Sequence, residues 1–206
     1  MLASFFARGV IIGFSVAAPI GPIGVLCIRR TLAQGRLIGF ISGLGAATAD
    51  ATYSAIAAFG LAVVAQALVR QQHAIRLVGG LFLCYLGLRF LFSRAASDEA
   101  QASGNGLPGA YASTLLLTLA NPTTILSFVA IFAGFGVAAA HGQGAAASFI
   151  LVGGVFLGSA AWWLTLSLGV GFLREKMAPG LLSWINRLAG AIIGAFGLAA
   201  LASVVL

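Results

Sequence analysis

Six largely apolar runs, at about 4–28, 37–68, 74–92, 111–138, 145–172 and 181–205, occupy most of this 206-residue chain. Each supplies the roughly 20 mainly apolar residues that a helix needs to cross a bilayer. The composition leaves little alternative: 61% of residues are hydrophobic and only 7% charged, against about 25% charged in an ordinary soluble domain. A water-soluble fold of this length could not cover so much apolar surface, so the solvent for most of the chain is lipid. The expected fold is an all-α integral membrane protein of six transmembrane helices. The first run lacks a basic leader and a small-residue cleavage site, and reads as a retained first span.

The charges then orient the spans. There are 11 Lys and Arg against 4 Asp and Glu, but they lie between the apolar runs and form no single patch, which argues against a nucleic-acid partner. Cytoplasmic loops are enriched in Lys and Arg. Eight basic residues, Arg29, Arg30, Arg36, Arg89, Arg94, Arg174, Lys176 and Arg187, follow spans one, three and five or flank them on that side. The opposite side holds three, Arg8, Arg70 and Arg76. Both termini are therefore expected outside, with Arg29 and Arg30 at the cytoplasmic end of the first span.

One linker-like segment, "SRAASDEAQASGNGLPG" (Ser93–Gly109), divides the chain. It separates a first three-helix repeat, 1–93, from a second, 111–206, by a cytoplasmic linker, 94–110, within one membrane domain. Three spans per half put the halves in opposite orientations, the inverted-repeat plan of many secondary transporters.

The breaks in the apolar runs point to a site. "AAPIGPIGVLCIRR" (Ala17–Arg30) interrupts the first span with Pro19, Gly21, Pro22 and Gly24, and "LANPTTILSF" (Leu119–Phe128) interrupts the fourth with Asn121-Pro122. Proline removes an N–H and disrupts the helical ladder, while glycine admits a turn or a close ligand. Asn121-Pro122 falls about ten residues into its span and Pro19 about ten residues before Arg29, so both lie roughly 15 Å deep at 1.5 Å per residue. Paired interruptions in two halves are the best sequence pointer to a transporter binding site. A half-helix starting beyond each break offers free N–H groups and partial positive charge to a carboxylate. The alternative reading is a pair of simple proline kinks. For substrate binding the candidates are Pro19, Gly21, Pro22, Gly24, Asn121, Pro122, Thr123 and Thr124.

Asp50 lies near the middle of the second span, where burying an acid costs about 2.5–3.5 kcal/mol on insertion scales. Helical spacing puts Gly43, Ala46, Ala47, Tyr53, Ser54 and Ala57 on or beside its face. It is the candidate for coupling or for binding an ammonium group; packing against a neighbouring helix is the bland alternative. The corresponding part of the fifth span, around Gly154 to Ser159, has no acid.

Other features carry less. Gly35, Gly39 and Gly43 form a GxxxG stripe, repeated at Gly154/Gly158 and Gly190/Gly194, and such stripes usually let helices pack closely. They are also compatible with a homo-oligomer. Trp162 and Trp163 are expected to pack or to line a pathway. His73 and His141 have no companion at metal spacing, and no cofactor motif or phosphate loop occurs. Cys27 and Cys84 match no metal or CxxC pattern.

The stretch "GFSVAAPIGPIGVLCIRRTLAQGRLIGFISGLGAATAD", followed by "LVGGLFLCYLGLRFL" and "TLANPTTILSF", resembles the LysE/RhtB family of bacterial amino-acid exporters. The resemblance covers nearly the whole chain and is strongest from Gly13 to Asp50. It implies a secondary transporter in the bacterial cytoplasmic membrane, not an enzyme, exporting amino acids or close derivatives on an ion gradient. Many relatives carry an Asn shortly after the second proline of this element, where this chain has Ile23 and Gly24. A different class, a membrane thiol–disulfide conduit of the CcdA/DsbD type, would need Cys27 and Cys84 as its reactive pair.

Overall fold

The computed structural model describes residues 2–19, 21–59, 70–92, 106–121, 124, 127–128, 144–174 and 179–205. Among them are seven helices and no strand: α1 (Leu2–Ala17), α2 (Pro22–Gln34), α3 (Arg36–Ala58), α4 (Gln72–Leu91), α5 (Gly106–Leu119), α6 (Ala145–Arg174) and α7 (Pro179–Val205). The stretches Ala145–Leu173 and Trp184–Val204 are each long and apolar enough to cross a membrane, and α1 with α2 makes a third if the bent pair counts as one span. Large apolar side chains such as Val78 and Leu81 of α4 and Leu188 and Leu198 of α7 face outward, as a lipid solvent permits.

The first apolar run is two helices meeting at 81°. Pro19 disfavours helical backbone at the residue before it, and α1 stops at Ala17. Gly21 then caps α2 in an extended conformation, and Pro22 takes the first helical position, where its missing N–H costs nothing.

Beyond this break the structure departs from expectation. Arg29 and Arg30 do not end the helix in a loop: α2 runs through them to Gln34, and Arg29 is 3% exposed. Its Nε donates to Asn186 Oδ1 of α7 at 2.9 Å, and its guanidinium carbon lies 3.3 Å above the Phe90 ring of α4. Arg30 donates to Ser42 Oγ of α3 and, on α5, to Ser113 Oγ, Thr114 Oγ1 and the Ala110 carbonyl. These charges are retained in the bundle because each is met by hydrogen-bond acceptors or a ring face. The turn falls instead on Gly35, whose φ of 102° and ψ of 169° suit glycine and few other residues. Gly35 therefore belongs to the turn and not to a packing stripe. α5 begins at Gly106, within the segment read as a linker.

Helix pairing follows the small residues. α1 crosses α6 with Gly9 and Gly13 against the backbone of Leu151 and Val155, and Gly154 and Gly158 against the backbone of Phe6 and Val10. α4 crosses α7 with Gly87 against Gly190 and Gly194, and Gly80 against Leu201 and Gly197. α3 lies between, with Gly43 under Trp163 of α6 and Gly45 against the Tyr111 backbone of α5. Leu26, Cys27, Ala46, Ala47, Leu117, Trp163 and Ile193 form the apolar centre where α2, α3, α5, α6 and α7 meet. The breaks lie at the edge of that centre.

Candidate functional site

A cavity of about 530 Å³ opens beside this apolar centre, within the range of roughly 300–1,000 Å³ typical of small-molecule sites. Pro19, Gly21, Pro22 and Gly24 line it from the first break, Asn121 and Thr124 from the second, and Asp50 from α3. Pro122 and Thr123 lie outside the described residues. Every other candidate drawn from the sequence borders this one cavity.

Each wall has a distinct chemistry. On the α2 side, the first bond of the helical ladder runs from the Val25 N–H to the Gly21 carbonyl at 3.1 Å. The amides of Ile23 and Gly24 precede it, at the electropositive end of the helix. A Cβ added at Gly21 would meet open space, so the chain is bare where a ligand would approach. Ile23 and Gly24 line the cavity beside Gly21.

On the α3 side, Asp50 is 3% exposed and accepts a hydrogen bond of 2.7 Å from Ser159 Oγ of α6. Ser159 lies midway along α6, in the stretch Gly154 to Ser159 that holds no acid. One turn along α3, the Tyr53 hydroxyl donates to the Leu119 carbonyl. That carbonyl stands at the end of α5, two residues before Asn121, so Tyr53 ties the acid's helix to the second break. Beyond Leu119 the chain turns with Asn121 N–H to the Thr118 carbonyl and Thr124 N–H to the Asn121 carbonyl, both 3.1 Å.

The rest of the wall comes from helix faces with no sequence motif. α7 contributes Phe196, Ala199, Ala200 and Ser203, and α4 contributes Arg76, Gly79, Gly80 and Leu83. Both sets follow the i, i+3, i+4, i+7 spacing of one helix face. Arg76, counted on the outer side, lies near the start of α4, and its Nη1 donates to the Ser203 carbonyl at 3.2 Å. Thr118, Ser127 and Trp163 complete the lining. The period of α4 and α7 makes these faces legible, but which face meets the cavity depends on the partner helix.

Cys27 is buried in α2, Cys84 is half-buried in α4, and both are free thiols. No group of three His, Cys, Asp or Glu side chains able to hold a metal occurs among the described residues. The arrangement can hold a small molecule with a cationic group at Asp50, an anionic group at the α2 N-terminus and an apolar portion between.

Residues 14–203 match the family described as LysE type translocator. The uncharacterized membrane protein YahN of Escherichia coli (strain K12) is 30% identical over 175 residues, 83% of this chain and 77% of that protein. The threonine efflux protein of Salmonella typhi is 26% identical over 206 residues, 96% of this chain and 97% of its own length. The leucine efflux protein of Salmonella typhimurium is 29% identical over 124 residues, 59% of this chain and 58% of its own. No solved structure matches the chain.

Proposed function

The chain belongs to the LysE type translocator family, and from that premise we propose that it is a secondary transporter exporting amino acids or close derivatives on an ion gradient. It is a transporter and not an enzyme. The observation that carries the reading is the convergence of both helix breaks and Asp50 on one cavity.

In this mechanism the substrate carboxylate docks at the α2 N-terminus around Gly21 to Gly24, with the second break at Thr123 and Thr124 completing the contact. Asp50 either binds the substrate ammonium or carries the coupling proton. Pro19, Pro22, Asn121 and Pro122 hold the backbone open at that depth, which hydrocarbon tolerates only around a protein-lined or watered cavity.

Six spans arranged as two inverted repeats, 1–93 and 111–206, would let one half rock against the other around the site. Helix pairing supports this plan: exchanging the halves turns the pairing of span one with span five into that of span four with span two. The pairs of spans two with five and three with six map onto themselves. All four pairings occur, as α1·α6, α5·α3, α3·α6 and α4·α7. The protein would sit in the bacterial cytoplasmic membrane with both termini outside and lipid as its main partner.

The named relatives are efflux or membrane proteins, which lends no support to a CcdA/DsbD-type thiol conduit. Cys27, packed in the apolar centre, lacks the access a reactive thiol needs.

The test is counterflow in proteoliposomes with a panel of labelled amino acids, threonine and leucine included. Purified protein should accelerate exchange of at least one of them over protein-free vesicles, and replacing both cysteines by Ser should leave that rate unchanged. Absence of exchange for every amino acid tested would refute the reading.

A further inference from the structure

Among the described residues, exactly two side chains of opposite formal charge line the cavity, the Asp50 carboxyl and the Arg76 guanidinium. We propose that Arg76 receives the substrate carboxylate at the outer end of the cavity, as an exit-side specificity residue; this rests on the export reading above. Nothing in the paired breaks accounts for an arginine here, and the count of basic residues uses Arg76 only to orient the spans.

Three observations place it. Arg76 begins the stripe that continues through Gly79, Gly80 and Leu83, so its side of α4 is the cavity side. It lies in the second turn of α4, and Ser203, whose carbonyl accepts its Nη1 at 3.2 Å, lies near the end of α7. These are the helix ends that face outward in the proposed orientation, whereas Asp50 sits mid-helix in α3. Gly79, three residues on, brings α4 against the Ala120 carbonyl, 2.9 Å from where a Cβ would stand, next to Asn121 of the second break. The guanidinium is thus tethered to the end of α7, about one turn along α4 from the glycine that packs beside the second break.

The chemistry follows from the group. A guanidinium is always charged and presents a planar fork that matches a carboxylate in bidentate fashion. The cavity wall includes Leu83, Leu117 and Phe196, and beside such apolar side chains a charge pair is felt more strongly than in water. As the cavity opens outward, the carboxylate passes from the α2 N-terminus to Arg76 while the ammonium leaves Asp50. Substrates with a free carboxylate are favoured over amides of the same side chain, because an amide cannot engage the fork as an anion.

The experiment measures half-saturation in counterflow for L-threonine, L-leucine and their carboxamides, with wild type, Arg76→Gln and Arg76→Lys. Arg76→Gln should raise half-saturation for the acids by about tenfold or more, the loss expected of a charge-assisted hydrogen bond. The amides should change by less than about twofold. Arg76→Lys, which keeps the charge without the fork, should fall between. An equal effect on acids and amides, or no effect on either, overturns the assignment and leaves wild-type exchange, hence the export reading, standing. Failure of the wild type to exchange any amino acid removes both. If Arg76→Gln does not fold, Arg76→Lys and the wild type decide: a lysine variant matching wild type on every probe, or a wild type that takes amides as readily as acids, overturns the proposal.

Discussion

Asp50 shows what one residue contributes before any neighbour is known. An acid at membrane depth is costly enough to demand a reason, and that much is legible in "ATADATYS". Its partner is not legible: Ser159 is a hydroxyl like several others until α6 brings it within 2.7 Å. The roles proposed for Asp50 separate in one variant. Asp50→Asn is nearly isosteric and still accepts the serine proton. If the carboxyl carries the coupling proton, net gradient-driven export should fall by more than about tenfold while exchange at equal gradients persists. If it binds the ammonium, loss of a charge-assisted hydrogen bond should also weaken exchange by about tenfold or more. Normal net export by a well-folded Asp50→Asn protein would remove the residue from the mechanism.

At the scale of helices, the small residues set how close the axes come. Gly9, Gly13, Gly154 and Gly158 put α1 and α6 backbone to backbone, and a Cβ at Gly158 would land on the Val10 backbone. Backbone cannot yield as a flexible side chain does, so Gly158→Ala should destabilise the protein by about 1–3 kcal/mol, the usual cost of overpacking. Gly153, on the same helix with open space at its Cβ position, is the control. Gly153→Ala should be neutral or slightly stabilising, because alanine is the better helix former by about 1 kcal/mol. Thermal unfolding in detergent reads both; equal midpoints for the two variants would contradict the crossing. The same scale explains the buried arginines. Arg29 and Arg30 hold α2 to α7, α4, α3 and α5, which keeps the α2 N-terminus, and with it the cavity wall, in a fixed place.

At the scale of the whole molecule, the question is orientation. Moving Arg29 and Arg30 from a loop into α2 leaves the basic bias intact, since Arg36 begins α3, Arg89 lies near the end of α4 and Arg187 near the start of α7. Reporter fusions at the C-terminus and within 94–105 should give opposite results, active outside for the first and inside for the second. Fusions reporting both termini in the cytoplasm would invert the proposed exit at Arg76 as well as the orientation, because that residue lies at the same membrane face as the C-terminus.

Composition and run length were enough to make this chain a helical membrane protein, because hydrocarbon is the only solvent that suits its surface. Proline and glycine chemistry located the first break to within a residue or two, since the backbone consequences of Pro19 and Pro22 are local. The ends of α2 were not local. Arginines in an apolar run read as an interface until hydrogen-bond acceptors on three other helices, Ser42, Ser113, Thr114 and Asn186, meet them. The site divides in the same way. Its break residues and its acid were marked by being costly in a membrane helix. Ser159, Ser203 and the inward face of Arg76 became part of it only through tertiary packing, because whether a polar side chain meets a cavity or a lipid depends on which helix lies against it.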